Sequence, residues 1–231
     1  MRRTLAVAEM AARDLLRRRA VLGLLVLMPL AFYLARREST GLAIRFMSLG
    51  LAWAVSTAAL FSSNAAKVVE RRLRLGGYRA VHLYAGRLCA VLGIGLGLAL
   101  FYFVVVALDQ DLRRPAAVAV QMLLTVAISA PLGLLISAVA PRDLEGTLLL
   151  ITLVGLQFII DPAKSGAKLL PFWSNRELAT YAVGMADSGY LRRGILHGVC
   201  YAVGLAAATA TLTAIRLRRR RHIRTAVPDR S

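Results

Sequence analysis

Histidine and cysteine are scarce in this sequence, and their scarcity argues against metal and disulfide chemistry. The three histidines, His82, His197 and His222, are far apart, and none is grouped with carboxylates at metal-ligand spacing. The two cysteines, Cys89 and Cys200, lie inside apolar runs, where they are interpreted as small hydrophobic residues. We therefore expect this chain to carry no metal or other cofactor.

Motifs for nucleotide binding and nucleophilic catalysis are also absent. No G-x-x-x-x-G-K-[ST] phosphate loop occurs, so we do not expect the chain to bind or hydrolyse ATP itself. The glycines of 92–97 resemble a dinucleotide loop only superficially, because no strand precedes them, and close helix packing explains them better. No G-x-S-x-G motif occurs either. The sequence gives an enzyme little support.

Ionisable residues are absent from the middle of every long apolar run. Asp109, Asp111, Glu145 and Asp161 all lie at the ends of such runs. Ion-coupled carriers usually place an ionisable group at membrane depth, because some group must take up the coupling ion. This absence argues against an ion-coupled carrier, although coordination by backbone carbonyls stays possible.

Apolar residues, by contrast, are abundant, and the charge is strongly positive. Hydrophobic residues make up 58% of the 231 residues, the mean hydropathy is +0.63, and the net charge is +18. In a soluble protein such a charge would suggest nucleic acid as a partner. Here the basic clusters flank apolar runs, which is the positive-inside pattern of a membrane protein. We expect membrane lipid, and no nucleic acid, as a partner.

Six apolar runs are long enough, or nearly so, to cross a membrane as helices. The fold class predicted from them is an all-α integral membrane protein with a single transmembrane domain, 1–217, and a basic cytoplasmic tail, 218–231. The predicted transmembrane helices cover 20–35, 46–66, 88–108, 115–140, 146–160 and 194–217.

Two further segments are predicted to lie at the membrane surface. Residues 1–19 mix arginines with apolar residues, which is typical of an amphipathic interfacial helix. An extended first span with a charged end explains the same pattern equally well. Residues 161–193 combine prolines with Trp173, which favours short re-entrant helices in the outer interface, one of them near 175–185.

The distribution of Lys and Arg predicts the orientation. One side of the predicted membrane carries 20 of these residues and the other carries 10. Because Lys and Arg accumulate on the cytoplasmic side, both termini are predicted to be cytoplasmic, in a multi-pass protein of the inner or plasma membrane. Arg36 and Arg37 lie on the outer side and run against this rule.

The loop 67–87 is the most informative charged segment. It contains six basic residues and one acidic residue, Glu70, and Gly76 and Gly77 divide it. The residues before the glycines and those from Tyr78 onward are both predicted to be helical. Such a helix pair could project below the membrane and bind a cytosolic partner, and a solvated positive-inside loop is an equally good explanation.

Three stretches of the sequence resemble the type-2 ABC exporter permease family. Residues 15–25 lead from a basic amphipathic start into the first span, 70–87 place an acidic residue before basic residues and a glycine pair, and 132–142 form a tight turn into the fifth span. The 161–193 segment is similar to the outer re-entrant helices of the family. Its Leu-Pro-Phe-Trp sequence at 170–173 matches, but the Asn-Pro-type turn that follows in the family is missing.

This resemblance implies a permease subunit that forms the substrate path as a dimer, paired through the second and fifth spans. Separate cytosolic ABC ATPase subunits would hold ATP and Mg²⁺ and bind the loop 67–87. The residues that the resemblance assigns to ATPase coupling are Glu70, Arg71, Arg72, Leu75 and Tyr78. The candidate residues of the substrate path are Trp53, Thr57, Phe61, Gln157 and Phe158, for which packing or lipid contact is the alternative.

Other classes of function stay open at the level of the sequence. A stand-alone carrier or channel would need a buried ionisable group, and a membrane enzyme would need a clustered catalytic set; neither is visible. A structural membrane protein is a further alternative. The mostly apolar candidate path favours a hydrophobic drug, a lipid or a lipopeptide as the substrate over a sugar phosphate. Export is implied by the family and not by the residues.

Overall fold

The computed structural model describes residues 2–140, 142–160, 165–184 and 187–217, and this part of the chain is helical and contains no strand. The predicted tail, 218–231, lies outside the described residues. Four of the helices, Thr40–Leu75, Ala80–Asp109, Pro115–Val139 and Ser188–Arg216, are long and apolar enough to cross a membrane. This confirms the all-α class and indicates a membrane protein. The α-helices are α1 (Arg2–Arg17), α2 (Arg19–Leu34), α3 (Thr40–Leu75), α4 (Ala80–Asp109), α5 (Pro115–Val139), α6 (Asp143–Ile159), α7 (Trp173–Ala182) and α8 (Ser188–Arg216).

The helices α2 and α6 lie where the first and fifth spans are predicted, but they are short. They contain 16 and 17 residues. At about 1.5 Å per residue they are somewhat shorter than a hydrocarbon core of about 30 Å. If these two helices cross the membrane, their ends lie in the interfacial region.

The helices α1 and α2 are separate, because the backbone leaves the helical conformation at Arg18, with φ −87° and ψ 88°. On one face of α1, Val7, Ala11 and Leu15 follow one another at intervals of four residues and are buried. The arginines of α1 are exposed on its other faces. Of the two interpretations of residues 1–19, the structure therefore favours a separate amphipathic helix over an extended first span.

The helix α3 is the centre of the bundle and packs against α2, α4, α5, α6 and α7. Its closest approach is to α5, since a Cβ atom built on Gly133 would lie 2.0 Å from the backbone oxygen of Ser56. Around this contact Ser56 Oγ donates to the Ser129 carbonyl at 3.0 Å, and Gln121 Nε2 donates to Ser48 Oγ at 2.8 Å. Pairing of these buried polar groups fixes the register of the two helices.

One end of the bundle is closed by Asp109, the last residue of α4. Its carboxylate accepts hydrogen bonds from Tyr33 and from Arg37, the latter with an Nε–Oδ2 distance of 2.8 Å. This hydrogen bond raises the pKa of the Arg37 guanidinium above its ordinary value. Arg37, which runs against the orientation rule, thus has a carboxylate partner and joins the α2–α3 connection to α4.

The segment between α6 and α8 forms a 3-10 helix, Ser165–Leu169, and then α7, which covers most of the helix predicted near 175–185. Both short helices are held by α8. Glu177 of α7 accepts a hydrogen bond from Arg193 Nε at 3.0 Å, and Tyr201 Oη donates to a carbonyl of the 3-10 helix at 2.6 Å. Because Glu177 is 2% exposed, its charge depends on this pairing.

Candidate functional site

The candidate site is the turn between α3 and α4 together with the helix ends on either side of it, which correspond to the charged loop 67–87. The helix α3 continues through Leu75, two glycines follow, and α4 begins at Ala80. Gly77 has a φ of +84°, a conformation that residues with a Cβ atom rarely adopt. The helices predicted on either side of the glycines are therefore the ends of two long helices. Together they form one helical hairpin.

A buried ion cluster of Glu70, Arg87 and Arg216 lies just inside this turn. Glu70 of α3 accepts a hydrogen bond from Arg87 Nη1 of α4 at 2.5 Å, and its two oxygens lie 2.9 and 2.7 Å from Arg216 Nη2 of α8. The side chains of Glu70, Arg87 and Arg216 are 5%, 6% and 31% exposed. A buried charge is costly unless it is paired, so each member of the cluster depends on the others. Glu70 therefore connects three helices.

A second polar network connects α3 to the turn between α5 and α6. Lys67 Nζ donates to the carbonyl oxygens of Ser137 at 2.7 Å and Ala140 at 3.4 Å. The Asn64 side chain accepts a hydrogen bond from Ser137 Oγ at 2.6 Å and donates one to Asp143 at the start of α6 at 2.5 Å. These contacts satisfy carbonyl groups at the end of α5. A displacement of α3 at this end would therefore reach α5 and α6 directly.

The helix α1 packs against the same turn. Arg3 Nη1 donates to the Gly77 carbonyl at 2.5 Å, and the Arg3 guanidinium carbon lies 5.7 Å from the centre of the Tyr78 ring. Further along, Gly86 of α4 allows close approach, since a Cβ atom there would lie 2.6 Å from Val7 Cβ. The amphipathic helix thus lies alongside the candidate site.

The five residues assigned to coupling differ in their exposure. Leu75 is 84% exposed, Arg72 is exposed, and Tyr78 is half-buried. Glu70 is 4% exposed and fully engaged in the ion cluster, so it does not present its carboxylate to a partner. The side chain of Arg71 lies outside the described residues. The structure thus brings three of the five to the surface of the turn and places Glu70 beneath them.

The candidate path residues are packed within one copy of the chain. Trp53, Thr57 and Phe61 lie on one face of α3; Thr57 is 3% exposed, and the two aromatic residues are half-buried against the core. Gln157 of α6 is 6% exposed, and the side chain of Phe158 lies outside the described residues. A transport path along them would need the helices to move or a second copy to complete it.

Sequence reasoning did not find the partners of Glu70. Arg87 is only one of the six basic residues of the loop 67–87, and Arg216 lies inside the predicted sixth span, 194–217. The usable signal was that Glu70 is the only acidic residue among the basic residues of 67–87, because a lone carboxylate in such a setting attracts cations. Which cations reach it depends on how α4 and α8 pack, and the sequence does not carry that information in any local pattern.

The described residues contain no group of three or more His, Cys, Asp or Glu side chains that could hold a metal ion. Neither a protein-family model nor a curated protein matches this sequence.

Proposed function

We propose that this chain is the membrane-spanning permease subunit of an ATP-driven ABC exporter of the type-2 family. In this proposal six helices, α2 to α6 and α8, cross the membrane, and both termini are cytoplasmic. ATP and Mg²⁺ are bound by separate cytosolic ATPase subunits, which contact the turn between α3 and α4. The substrate is a hydrophobic or amphiphilic compound that leaves along Trp53, Thr57, Phe61, Gln157 and Phe158.

The observation that supports this proposal most is the construction of the α3–α4 turn. It presents an exposed leucine, Leu75, and an exposed arginine, Arg72, at the end of a helix that crosses the whole bundle. In this proposal Leu75 and Arg72 are the groups that contact the ATPase, an apolar residue and an arginine such as protein interfaces use. The ion cluster beneath these residues holds the turn rigidly to α4 and α8.

The two polar networks suggest how force from an ATPase would reach the transmembrane helices. A push on the turn moves α3, and Glu70 passes this movement to α4 and α8 through its two arginines. Lys67 and Asn64 pass it to α5 and α6. ATP binding by the partner can favour one arrangement of the helices over another only if the partner contacts the two arrangements differently.

The exposed surface of the bundle bears on how two copies would pair. The apolar stretch of α3 is 78% buried by its own chain, so this helix has little free surface for a second copy. The helix α6 is less covered: Leu144 and Leu148 are 70% and 54% exposed. We therefore place the larger part of a dimer contact on α6, the predicted fifth span, and the smaller part on α3.

The proposal is tested by purifying the tagged protein from native membranes in mild detergent and measuring co-purified ATPase activity. The variant Leu75→Ala combined with Arg72→Ala removes both exposed groups of the turn. The matched control is Leu108→Ala combined with Arg113→Ala, which removes an exposed leucine and an exposed arginine next to the α4–α5 connection at the opposite end of the bundle. Thermal stability of both variants is measured in parallel.

We expect a cytosolic ATPase to co-purify with the wild-type protein and with the control, and to be reduced by at least about tenfold with the Leu75 and Arg72 variant. If that variant keeps the thermal stability of the wild-type protein, the loss of ATPase is due to weaker partner binding and not to misfolding. A stable preparation without any co-purified ATPase would contradict the proposal and favour a stand-alone carrier or channel.

A further inference from the structure

A small cavity lies at the end of the bundle opposite Glu70, between α3, α6, α7 and the 3-10 helix. Arg45, Gln157, Trp173, Asn175 and Arg176 contribute the polar part of its wall, and apolar side chains contribute the rest. Arg45 and Glu70 are separated along α3 by roughly 37 Å, at about 1.5 Å per residue. This cavity is therefore distinct from the coupling turn, and the inference below does not depend on the permease proposal.

Three buried nitrogen atoms in the wall lack a hydrogen-bond partner among the described residues. They are Gln157 Nε2, Trp173 Nε1 and Asn175 Nδ2. The residues are 6%, 8% and 1% exposed, so water outside the protein does not satisfy them. An indole N–H can only donate, and buried donors without acceptors are rare in folded proteins. A hydrogen-bond acceptor inside the cavity would satisfy these three donors.

Positive charge converges on the same cavity. Arg45 is half-buried, and its guanidinium donates to the Gln157 carbonyl at 3.2 Å, which holds it at the wall. Arg176 adds a second guanidinium and contacts Glu177 at 3.8 Å.

The cavity also lies at the N-terminus of α7. Trp173 is the first residue of this 10-residue helix, and Asn175 and Arg176 complete its first turn. The first turn of a helix carries partial positive charge and favours anions. In α7 the backbone N–H groups of Trp173 and Asn175 already donate to the carbonyls of Leu170 and Phe172, so the contribution here is that of the helix dipole. The apolar part of the wall excludes water and strengthens these interactions.

We propose that this cavity binds a small anionic group. An anion only accepts hydrogen bonds and is attracted by the Arg45 guanidinium, whereas a water molecule brings two protons that need acceptors of their own. The volume of about 10 Å³ admits one group of water size, so the inserted end is a single oxygen of a carboxylate or phosphate, or a chloride ion. The anion is either free in solution or part of a lipid headgroup.

The chain contains only two tryptophans, Trp53 and Trp173, and this provides a direct assay. The variant Trp53→Phe leaves Trp173, in the wall of the cavity, as the sole tryptophan. Its fluorescence is titrated with chloride, acetate and inorganic phosphate in detergent, and the general effect of ionic strength is taken from the same titrations of the control variant. The matched control, Trp173→Phe, leaves Trp53 as the reporter, outside the cavity.

We expect a saturable change in emission for the Trp53→Phe variant and only a linear, collisional response for the control. Adding Arg45→Gln to the Trp53→Phe variant should weaken the apparent affinity by at least about tenfold, since it removes a charge-assisted hydrogen bond. A linear response in all variants, or saturation that Arg45→Gln leaves unchanged, would overturn the proposal.

A second readout serves if Arg45→Gln does not fold. The thermal midpoint of the wild-type protein should rise with the binding anion, and Trp173→Phe, which keeps the ring but removes the N–H donor, should abolish this rise. An equal rise in Trp173→Phe would also overturn the proposal. The source of the anion is decided in nanodiscs of phosphatidylcholine with or without phosphatidylglycerol. If phosphatidylglycerol blocks the titration, the site takes a headgroup; if it has no effect, the site takes a free anion.

Discussion

Glu70 illustrates how one buried charge can organise one end of a helical bundle. Its carboxylate neutralises two arginines from two other helices, and all three groups are removed from bulk water to a large extent. Buried ion pairs contribute little net stability compared with apolar packing, but breaking one leaves an uncompensated charge. The function that follows from this position is bracing of the turn, while Arg72 and Leu75 above it remain free to make contacts.

The variant Glu70→Gln tests this position. It keeps the size of the side chain but leaves Arg87 and Arg216 without a counter-charge, so we expect the free energy of unfolding to fall by about 3 kcal/mol. Reversible unfolding in mixed micelles measures the change. The control is Glu145→Gln, whose partner lies 3.9 Å away at the surface and whose loss should change stability by less than about 0.5 kcal/mol. Equal effects of the two variants would show that Glu70 is not part of a buried cluster.

At the scale of the helices, small residues decide how closely neighbours approach. The contact of α3 with α5 depends on Gly133, where even a methyl group would meet the backbone of Ser56. Gly93 of α4 is also a glycine inside a long apolar helix, but nothing lies within 4 Å of a Cβ atom built there. The two positions therefore make a matched pair inside the long apolar helices α5 and α4.

We expect Gly133→Ala to destabilise the protein by about 1–3 kcal/mol, because the backbones of α3 and α5 must separate. Gly93→Ala should be neutral or slightly stabilising, because alanine favours the helix and meets no neighbour. Thermal midpoints in the same detergent compare the two. Similar midpoints for both variants would mean that α3 and α5 do not approach as closely as described.

The sequence predicts helices better than it predicts contacts, for a physical reason. Apolar runs indicate α3, α4, α5 and α8 because burial in lipid demands about 20 apolar residues. The break at Arg18 follows from only one of the two interpretations of residues 1–19, because their composition does not distinguish a separate amphipathic helix from an extended first span. Glu70 and Arg216 are 146 residues apart in the chain. Their pairing therefore follows from how the helices pack and not from a local sequence pattern.

For the whole molecule, the decisive question is which connections lie on which side of the membrane. The proposed topology places the α2–α3 and α4–α5 connections outside, and the α3–α4 and α5–α6 turns inside. Exposed residues are available in all four: Glu38 and Asp111 outside, and Arg72 and Arg142 inside. Each can be replaced by cysteine singly after Cys89 and Cys200 have been replaced by alanine.

A membrane-impermeant maleimide should label Glu38→Cys and Asp111→Cys in intact cells, and Arg72→Cys and Arg142→Cys only after permeabilisation. The result at Glu38 carries the most weight, because it lies between the short helix α2 and the long helix α3. Protection of Glu38→Cys with labelling of Asp111→Cys would mean that α2 stays on the cytoplasmic surface. If Arg72→Cys is also protected, both ends of α3 lie on the cytoplasmic side and α3 does not cross the membrane. Labelling at all four positions as expected would establish that α3, α4 and α5 each cross the membrane. It would also leave the α3–α4 turn facing the ATP-containing side of the membrane, where a cytosolic ATPase can reach it.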